Sequence, residues 1–256
     1  MGGGFCPIPP LDRNAFPATP AASCRDTLPL APPFALWASA MSSTTFTILL
    51  GGPLTVTERL SQALAGSRVI AADSGMRHAA ALGLRPELWV GDFDSSNPEL
   101  LEQWPDVERQ PYPPAKNETD GEIATGEAVA RGAKRLILVG AMGGERSDHA
   151  LQHLVHAVRL AEQGYDMLLT SGEEEAVPLL PGRLSIELPE NALFSVVGFS
   201  DLQGLDIRNV RYPLNDFSLP FGSSRTVSNV AQGTVEFSLK SGRAIILARP
   251  YDLTGA

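Results

Sequence analysis

Leu88-Trp89-Val90-Gly91-Asp92-Phe93-Asp94-Ser95-Ser96 is the stretch on which the reading of this chain turns. Leu88-Trp89-Val90 reads as the end of a buried strand, and Gly91 lets the backbone turn sharply after it. Asp92 and Asp94 then stand two residues apart at a strand end, close enough to converge through oxygen ligands on one hard cation. The competing reading is an Asx-type turn whose carboxylates accept from backbone N–H groups. The surroundings of the stretch decide between them.

Upstream, strands alternate with helices. Phe46-Thr47-Ile48-Leu49-Leu50 reads as a first strand ending in Gly51-Gly52-Pro53, and residues 55–65 as a helix. Arg68-Val69-Ile70-Ala71-Ala72 reads as a second strand ending at Asp73-Ser74-Gly75, with a helix over 76–82 leading to the third strand. Three successive strands thus end in loops bearing Gly or Asp. In an open parallel sheet the carboxyl ends of the strands share one edge, and ligands bind there.

Downstream comes Lys116-Asn117-Glu118-Thr119-Asp120. Thr119 with Glu122 matches a capping box, so Thr119 is the expected N-cap of a helix over 120–131. Capping leaves Lys116 and Asp120 unexplained, and a helix N-terminus preceded by a lysine suits a phosphate. Arg135-Leu136-Ile137-Leu138-Val139 is the next strand. It runs into Gly140-Ala141-Met142-Gly143-Gly144-Glu145-Arg146-Ser147-Asp148-His149, which opens a helix over 148–162. Neither glycine-rich loop has P-loop or Gly-x-Gly-x-x-Gly spacing. His78, His153 and His156 are read as structural, while His149 adjoins Arg146 and Asp148. No Gly-x-Ser-x-Gly elbow supports a hydrolase triad, and a zinc site beside His149 is read as weak, with no cysteine pair to join it.

At 256 residues, with 43% hydrophobic and 19% charged residues, the chain belongs among soluble globular proteins. A formal charge of −9 argues against nucleic-acid or anionic-lipid partners, though a divalent metal can reverse the local sign for an anionic substrate. No apolar run approaches the roughly 18 residues that span a bilayer. Residues 1–40 hold eight of the 21 prolines and four charged residues, so residues 1–44 are expected to form a disordered tail. The segment lacks a basic region followed by an apolar one, so no secretory signal is read there. Both cysteines, Cys6 and Cys24, lie in this tail, which suits a reducing, cytoplasmic location. Met41 stands just before the first strand and is the expected start of the native protein, which intact-mass analysis would settle.

Beyond Ser171-Gly172 helical periodicity stops. Short strand-like runs follow at 184–188, 194–197, 234–239 and 244–247, separated by Gly, Pro, Asn and Asp. The expected fold class is therefore α/β, an open, mostly parallel sheet with flanking helices over 45–172, followed by a smaller all-β sandwich-like domain over 173–256.

Asp73-Ser74-Gly75, Gly91-Asp92-Phe93-Asp94-Ser95, Lys116 with Thr119-Asp120, and the loop ending Arg146-Ser147-Asp148-His149 resemble, in order and spacing, the thiamine pyrophosphokinases. The resemblance covers residues 46–250. It implies transfer of a pyrophosphoryl group from ATP to the hydroxyethyl group of thiamine, giving thiamine diphosphate and AMP. The ATP site it implies comprises Gly52, Asp73, Ser74, Gly75, Lys116, Thr119, Gly143, Arg146, Asp148 and His149. Ser228-Asn229 resembles a family pair that helps hold thiamine in a site shared between two subunits, implying a homodimer; spacing alone reads Ser224–Asn229 as a polar hairpin stretch.

The chemistry implied is Mg²⁺ between the ATP phosphates and Asp92 and Asp94, with Asp73 and Asp120 beside them. Lys116 and Arg146 would offset charge on the phosphoryl oxygens. Asp94 and Asp120 are both candidates to take the hydroxyl proton. Glu145, between the glycines and Arg146, departs from many relatives and bears on the contacts of Arg146. The alternatives are a pyrophosphokinase acting on a hydroxymethyl pterin, a metal-dependent phosphohydrolase, and a non-catalytic thiamine- or nucleotide-binding protein. Ser228-Asn229 favours thiamine over the pterin, and Lys116, Arg146 and the aspartates favour catalysis over mere binding.

Overall fold

The computed structural model of the chain describes residues 44–93, 98–113 and 117–255. The expectations for the tail, Cys6, Cys24 and Met41, and for Asp94 and Lys116, lie outside the described residues. Six strands run parallel: β1 (Thr45–Leu49), β2 (Arg68–Ala72), β3 (Leu88–Gly91), β4 (Glu108–Pro111), β5 (Arg135–Val139) and β6 (Asp166–Thr170). Their spatial order is β4-β3-β2-β1-β5-β6. Alternate residues of each strand face opposite sides, and both sides are covered. Leu49, Val69, Ala71, Trp89, Ile137 and Leu168 meet Leu60 and Leu64 of α1 (Glu58–Leu64) and Ala79 of α2 (His78–Ala81). Phe46, Ile48, Ile70, Leu88, Leu136 and Leu138 meet Ile123, Ala124 and Ala128 of α4 (Asp120–Ala130) and Ala157 and Val158 of α5 (Ser147–Glu162). Burial on both faces is why β2 and β5 are apolar throughout after a leading arginine, and β1 is apolar from Phe46 but for the buried Thr47. A short α3 (Pro98–Gln103) precedes β4.

Two helices differ from expectation. α1 starts at Glu58 rather than 55, because the Thr55 N–H is bonded to the Ser171 carbonyl (2.9 Å) and the Thr57 hydroxyl caps Leu60 N (3.1 Å). In place of a helix over 76–82, a 3-10 turn at Asp73–Arg77 leads into the short α2. Asp73 sits at φ 44°, and Gly75 packs so tightly on the Leu49 carbonyl that a Cβ would overlap it, so the chain leaves β2 in a tight coil. The capping box at Thr119 and Glu122 forms as expected, with Thr119 N donating to Glu122 Oε2 (3.0 Å) and Glu122 N to Thr119 Oγ1 (3.2 Å).

After β6 the direction changes. β7 (Glu175–Leu179) pairs antiparallel with β6, through Leu169 with Ala176, and carries the sheet onward. The strands that follow are β8 (Gly182–Glu187), β9 (Leu193–Gly198), β10 (Leu202–Val210), β11 (Leu214–Leu219), β12 (Asn229–Leu239) and β13 (Ala244–Arg249). Beyond β6 the spatial order is β7-β13-β9-β12-β10-β11, with β8 off this path beside β12. β12 pairs with β9 at Asn229 and Val230, then with β8 over residues 234–239, so it passes from one layer to the next, bending near Gly233 (φ 88°). Phe194 meets Phe237 edge-on between the layers, ring centres 5.7 Å apart. Arg59 of α1 binds the buried Glu175 carboxylate through two nitrogens (2.6 and 2.9 Å), fastening the helix to the first antiparallel strand.

Candidate active site

Strand order reverses between β1 and β5, so the loops leaving these neighbours diverge and a crevice opens between them. Leu50 N bonds to Val139 O (2.8 Å) and Gly52 N to Gly140 O (3.1 Å), closing the two loops on each other at the base. A Cβ on Gly52 would overlap the Gly140 carbonyl, and one on Gly140, at φ 71°, the Leu50 carbonyl. Only glycine permits this approach. Above it lies a cleft of about 660 Å³.

Gly52, Asp73, Ser74, Thr119, Asp120, Gly143, Arg146 and His149 of the expected site line this cleft. Gly75 lies beneath it, buried on Leu49. Asp92 follows Gly91 at the end of β3, where Gly91 packs against the Asp73 backbone and Trp89 Nε1 donates to the Asp73 carbonyl (2.9 Å). The two aspartates therefore leave adjacent strands side by side. The N-terminus of α4 opens on the cleft through Thr119, Asp120 and Gly121, offering the positive end of the helix dipole to an anion.

Asp148 does not line the cleft. Its carboxylate takes both Arg146 Nε (2.9 Å) and Nη2 (2.8 Å), and this pairing holds it far below the usual carboxylate range while raising the arginine. Asp148 thus orients Arg146.

Ser228 and Asn229 lie elsewhere, at the start of β12. Asn229 is buried and its amide is occupied by backbone: Oδ1 accepts from Tyr212 N (3.2 Å) and Val230 N (2.8 Å), and Nδ2 donates to Tyr212 O (2.9 Å). Ser228, exposed and at φ 61°, is held by its own N–H on Ser195 Oγ (3.0 Å). Exposed Tyr212 is fixed beside them by the same amide.

The cleft contains residues that motif reading passed over. Arg77 lines it, and His78, read as structural, bonds through Nε2 to the Gly52 carbonyl (2.9 Å). His153 also lines it, stacked edge-on to His149 with ring centres 6.4 Å apart. Burial first, then the neighbouring His149 and His156, push His153 down to about 4. The four-residue spacing of His149 and His153 on one helix would have flagged this face.

Asp73 Oδ1 is buried and has no hydrogen-bond donor among the described residues. A carboxylate oxygen in that condition suits a cation, and an oxygen-only donor set suits Mg²⁺. Among the described residues no three acidic or histidine side chains form a metal cluster by themselves. Mg²⁺ needs no such cluster where one or two carboxylates and substrate phosphates complete it.

Residues 61–169 match the family described as thiamin pyrophosphokinase, catalytic domain, and residues 183–244 that described as thiamin pyrophosphokinase, vitamin B1 binding domain. The chain belongs to the thiamin pyrophosphokinase family. It is 26% identical over 179 residues to the thiamine pyrophosphokinase of Bacillus subtilis (strain 168), covering 66% of this chain and 82% of that protein. The crystal structure of thiamin pyrophosphokinase from Geobacillus thermodenitrificans superposes with a TM-score of 0.70 at 25% identity, covering 81% of this chain and 98% of that one. The enzyme from Candida albicans keeps the fold at 12% identity, with a TM-score of 0.65, over 80% of this chain and 90% of that one. The thiamin pyrophosphokinase architecture, a mixed sheet with flanking helices followed by an antiparallel β-rich part, is thus the one expected above. No described helix is long and apolar enough to cross a membrane.

Proposed function

We infer that this chain transfers the pyrophosphoryl group of ATP to the hydroxyl of thiamine, giving thiamine diphosphate and AMP. The observation that carries the reading is the cleft at the β1/β5 reversal, where two mutually closed glycine loops, a helix N-terminus and the orphaned Asp73 oxygen converge. Residues 45–172 form the ATP-binding catalytic part and 173–256 the thiamine-binding part.

ATP lies in the cleft, its phosphates toward the N-terminus of α4, with Gly52, Ser74, Thr119, Gly143 and His149 around it. Asp73, Asp92, Asp94 and Asp120 are the residues that would hold Mg²⁺ beside the polyphosphate. Bound there, it would offset the repulsion between four carboxylates and the phosphates and would draw electron density from the phosphoryl oxygens. Lys116 and Arg146, the latter aimed by Asp148, meet the charge that builds on those oxygens. The thiamine hydroxyl oxygen bonds to the β-phosphorus as the bond to the α-phosphate bridging oxygen breaks. AMP leaves with that electron pair, and the hydroxyl proton passes to Asp94 or Asp120. Positioning in line supplies much of the acceleration. Ser228 presents its hydroxyl to thiamine and Asn229 fixes the turn that carries it. Neither lines the ATP cleft, which supports a site completed across two subunits of a homodimer. Cytoplasmic residence accords with a reaction that consumes ATP.

Incubating the protein with ATP, Mg²⁺ and thiamine and resolving the products by chromatography tests the reading. Equal amounts of AMP and thiamine diphosphate, lost with EDTA, are expected. ADP with thiamine monophosphate would overturn the point of attack, and no thiamine product would overturn the acceptor.

A further inference from the structure

Arg77 closes the 3-10 turn after β2, and its exposed side chain reaches over the cleft to the loop after β1. Nη2 donates to the carbonyls of Gly51 and Gly52, the latter at 3.3 Å, while His78 Nε2 donates to the same Gly52 oxygen (2.9 Å). That last bond requires a proton on Nε2. Burial and adjacent Arg77 push the His78 ring down, so the neutral Nε2–H form serves at neutral pH. The loop's outward carbonyl dipoles are thereby turned into arginine and imidazole donors, instead of facing an incoming anion.

Two arginines line the cleft among the described residues. Arg146 spends its fork on Asp148, whereas Arg77 makes no ion pair with any described carboxylate. A guanidinium carries five N–H donors, and the carbonyl contacts of Arg77 all use Nη2, leaving Nε and Nη1. Against them the cleft presents Asp73, Asp120 and Glu145. We propose that Arg77 is a phosphate-binding residue of this cleft, capping the Gly51 and Gly52 carbonyls with one nitrogen and offering the others to the nucleotide polyphosphate. The inference rests on the ATP reading above and adds to it a cation supplied from the β2 side, opposite the β5 loop that carries Arg146.

The test compares ADP with adenosine binding to the full chain by calorimetry, without thiamine so that nothing turns over. Arg77→Gln keeps an N–H donor for the carbonyls and removes the charge. Its Kd for ADP should rise about ten- to a hundredfold, with adenosine affinity and melting temperature unchanged. In turnover the KM for ATP should rise with kcat and the KM for thiamine held, as for a contact made equally in ground and transition states. Arg77→Lys, with a point charge but no fork, should fall between, and decides the matter should the glutamine variant not fold. Wild-type ADP affinity in the variants, or equal losses for ADP and adenosine, overturns the proposal, the latter leaving Arg77 only a loop-shaping role. Wild-type protein that binds neither ligand would overturn the ATP reading itself.

Discussion

The cleft between β1 and β5 and the turn before β12 both carry the residues of a motif, but they employ polar groups in opposite ways. In the cleft, Asp73 keeps a buried oxygen without a donor among the described residues. Before β12, every polar atom of the Asn229 amide serves the backbone of Tyr212 or Val230. The first arrangement costs stability until a ligand arrives; the second supplies stability whether or not one does. A motif residue can therefore act by contact or by holding its neighbours, and hydrogen-bond occupancy tells which.

The largest effect that would sharpen this contrast is on turnover. Asp92→Asn and Asp73→Asn should each lower thiamine diphosphate formation by about a thousandfold or more, while thermal melts stay at or slightly above wild type. Asparagine tolerates the φ of 44° at position 73. Substantial activity in either variant would remove that residue from the mechanism. Asn229→Ala should do the reverse at first reading, destabilising the chain by about 2–4 kcal/mol in urea unfolding, because three backbone partners lose their bonds. An unchanged midpoint would break the comparison.

Next is a pH effect. His153 has its pKa lowered to about 4 in the fold against an ordinary 6.5, so between those values the unfolded chain binds more protons than the folded one. Stability contributed by the neutral ring is full above about pH 6.5 and lost as pH falls toward 4, by about 3 kcal/mol at most. His153→Gln should flatten the unfolding profile across that window; the same slope in both proteins would assign it elsewhere. The smallest stability effect belongs to Ser228→Gly. At φ 61° glycine relieves strain, so the melt should move by no more than about 1 kcal/mol equivalent, while the KM for thiamine rises. A strong loss of stability there would place Ser228 with Asn229 as a structural residue.

The parallel half was legible because its strands, buried on both faces, write themselves as apolar runs, and because Thr119 and Glu122 satisfy a local capping rule. α3, β4, β6, β7, β10 and β11 were not. β4 reads Glu-Arg-Gln-Pro and is mostly exposed at the sheet edge; β7 contains Pro178; β10 is interrupted by Gly204 and register shifts against both neighbours. Strands held by tertiary pairing rather than by their own periodicity leave little local trace. The cleft's acidic and glycine residues could be picked out by spacing. Arg77 and His153 could not be ranked from it, because their placement depends on how a 3-10 turn and a helix face are folded over the crevice. The occupancy of Asn229 likewise appears only once Tyr212 lies beside it, 17 positions away in sequence.

The position of β13 has a consequence for how the protein is made. Residues 244–249 lie between β7 and β9 and, among the described strands, are the one that joins the parallel half to the layer that β9 and β12 build, yet they follow all other described strands in sequence. During synthesis the ribosome delivers the keystone after the arch. Until it emerges, β7 and β9 are open apolar edges able to pair with other nascent chains. A translation product ending before residue 244 would keep both edges unpaired, so loss of the last strand should show as aggregation rather than as a well-behaved shorter protein.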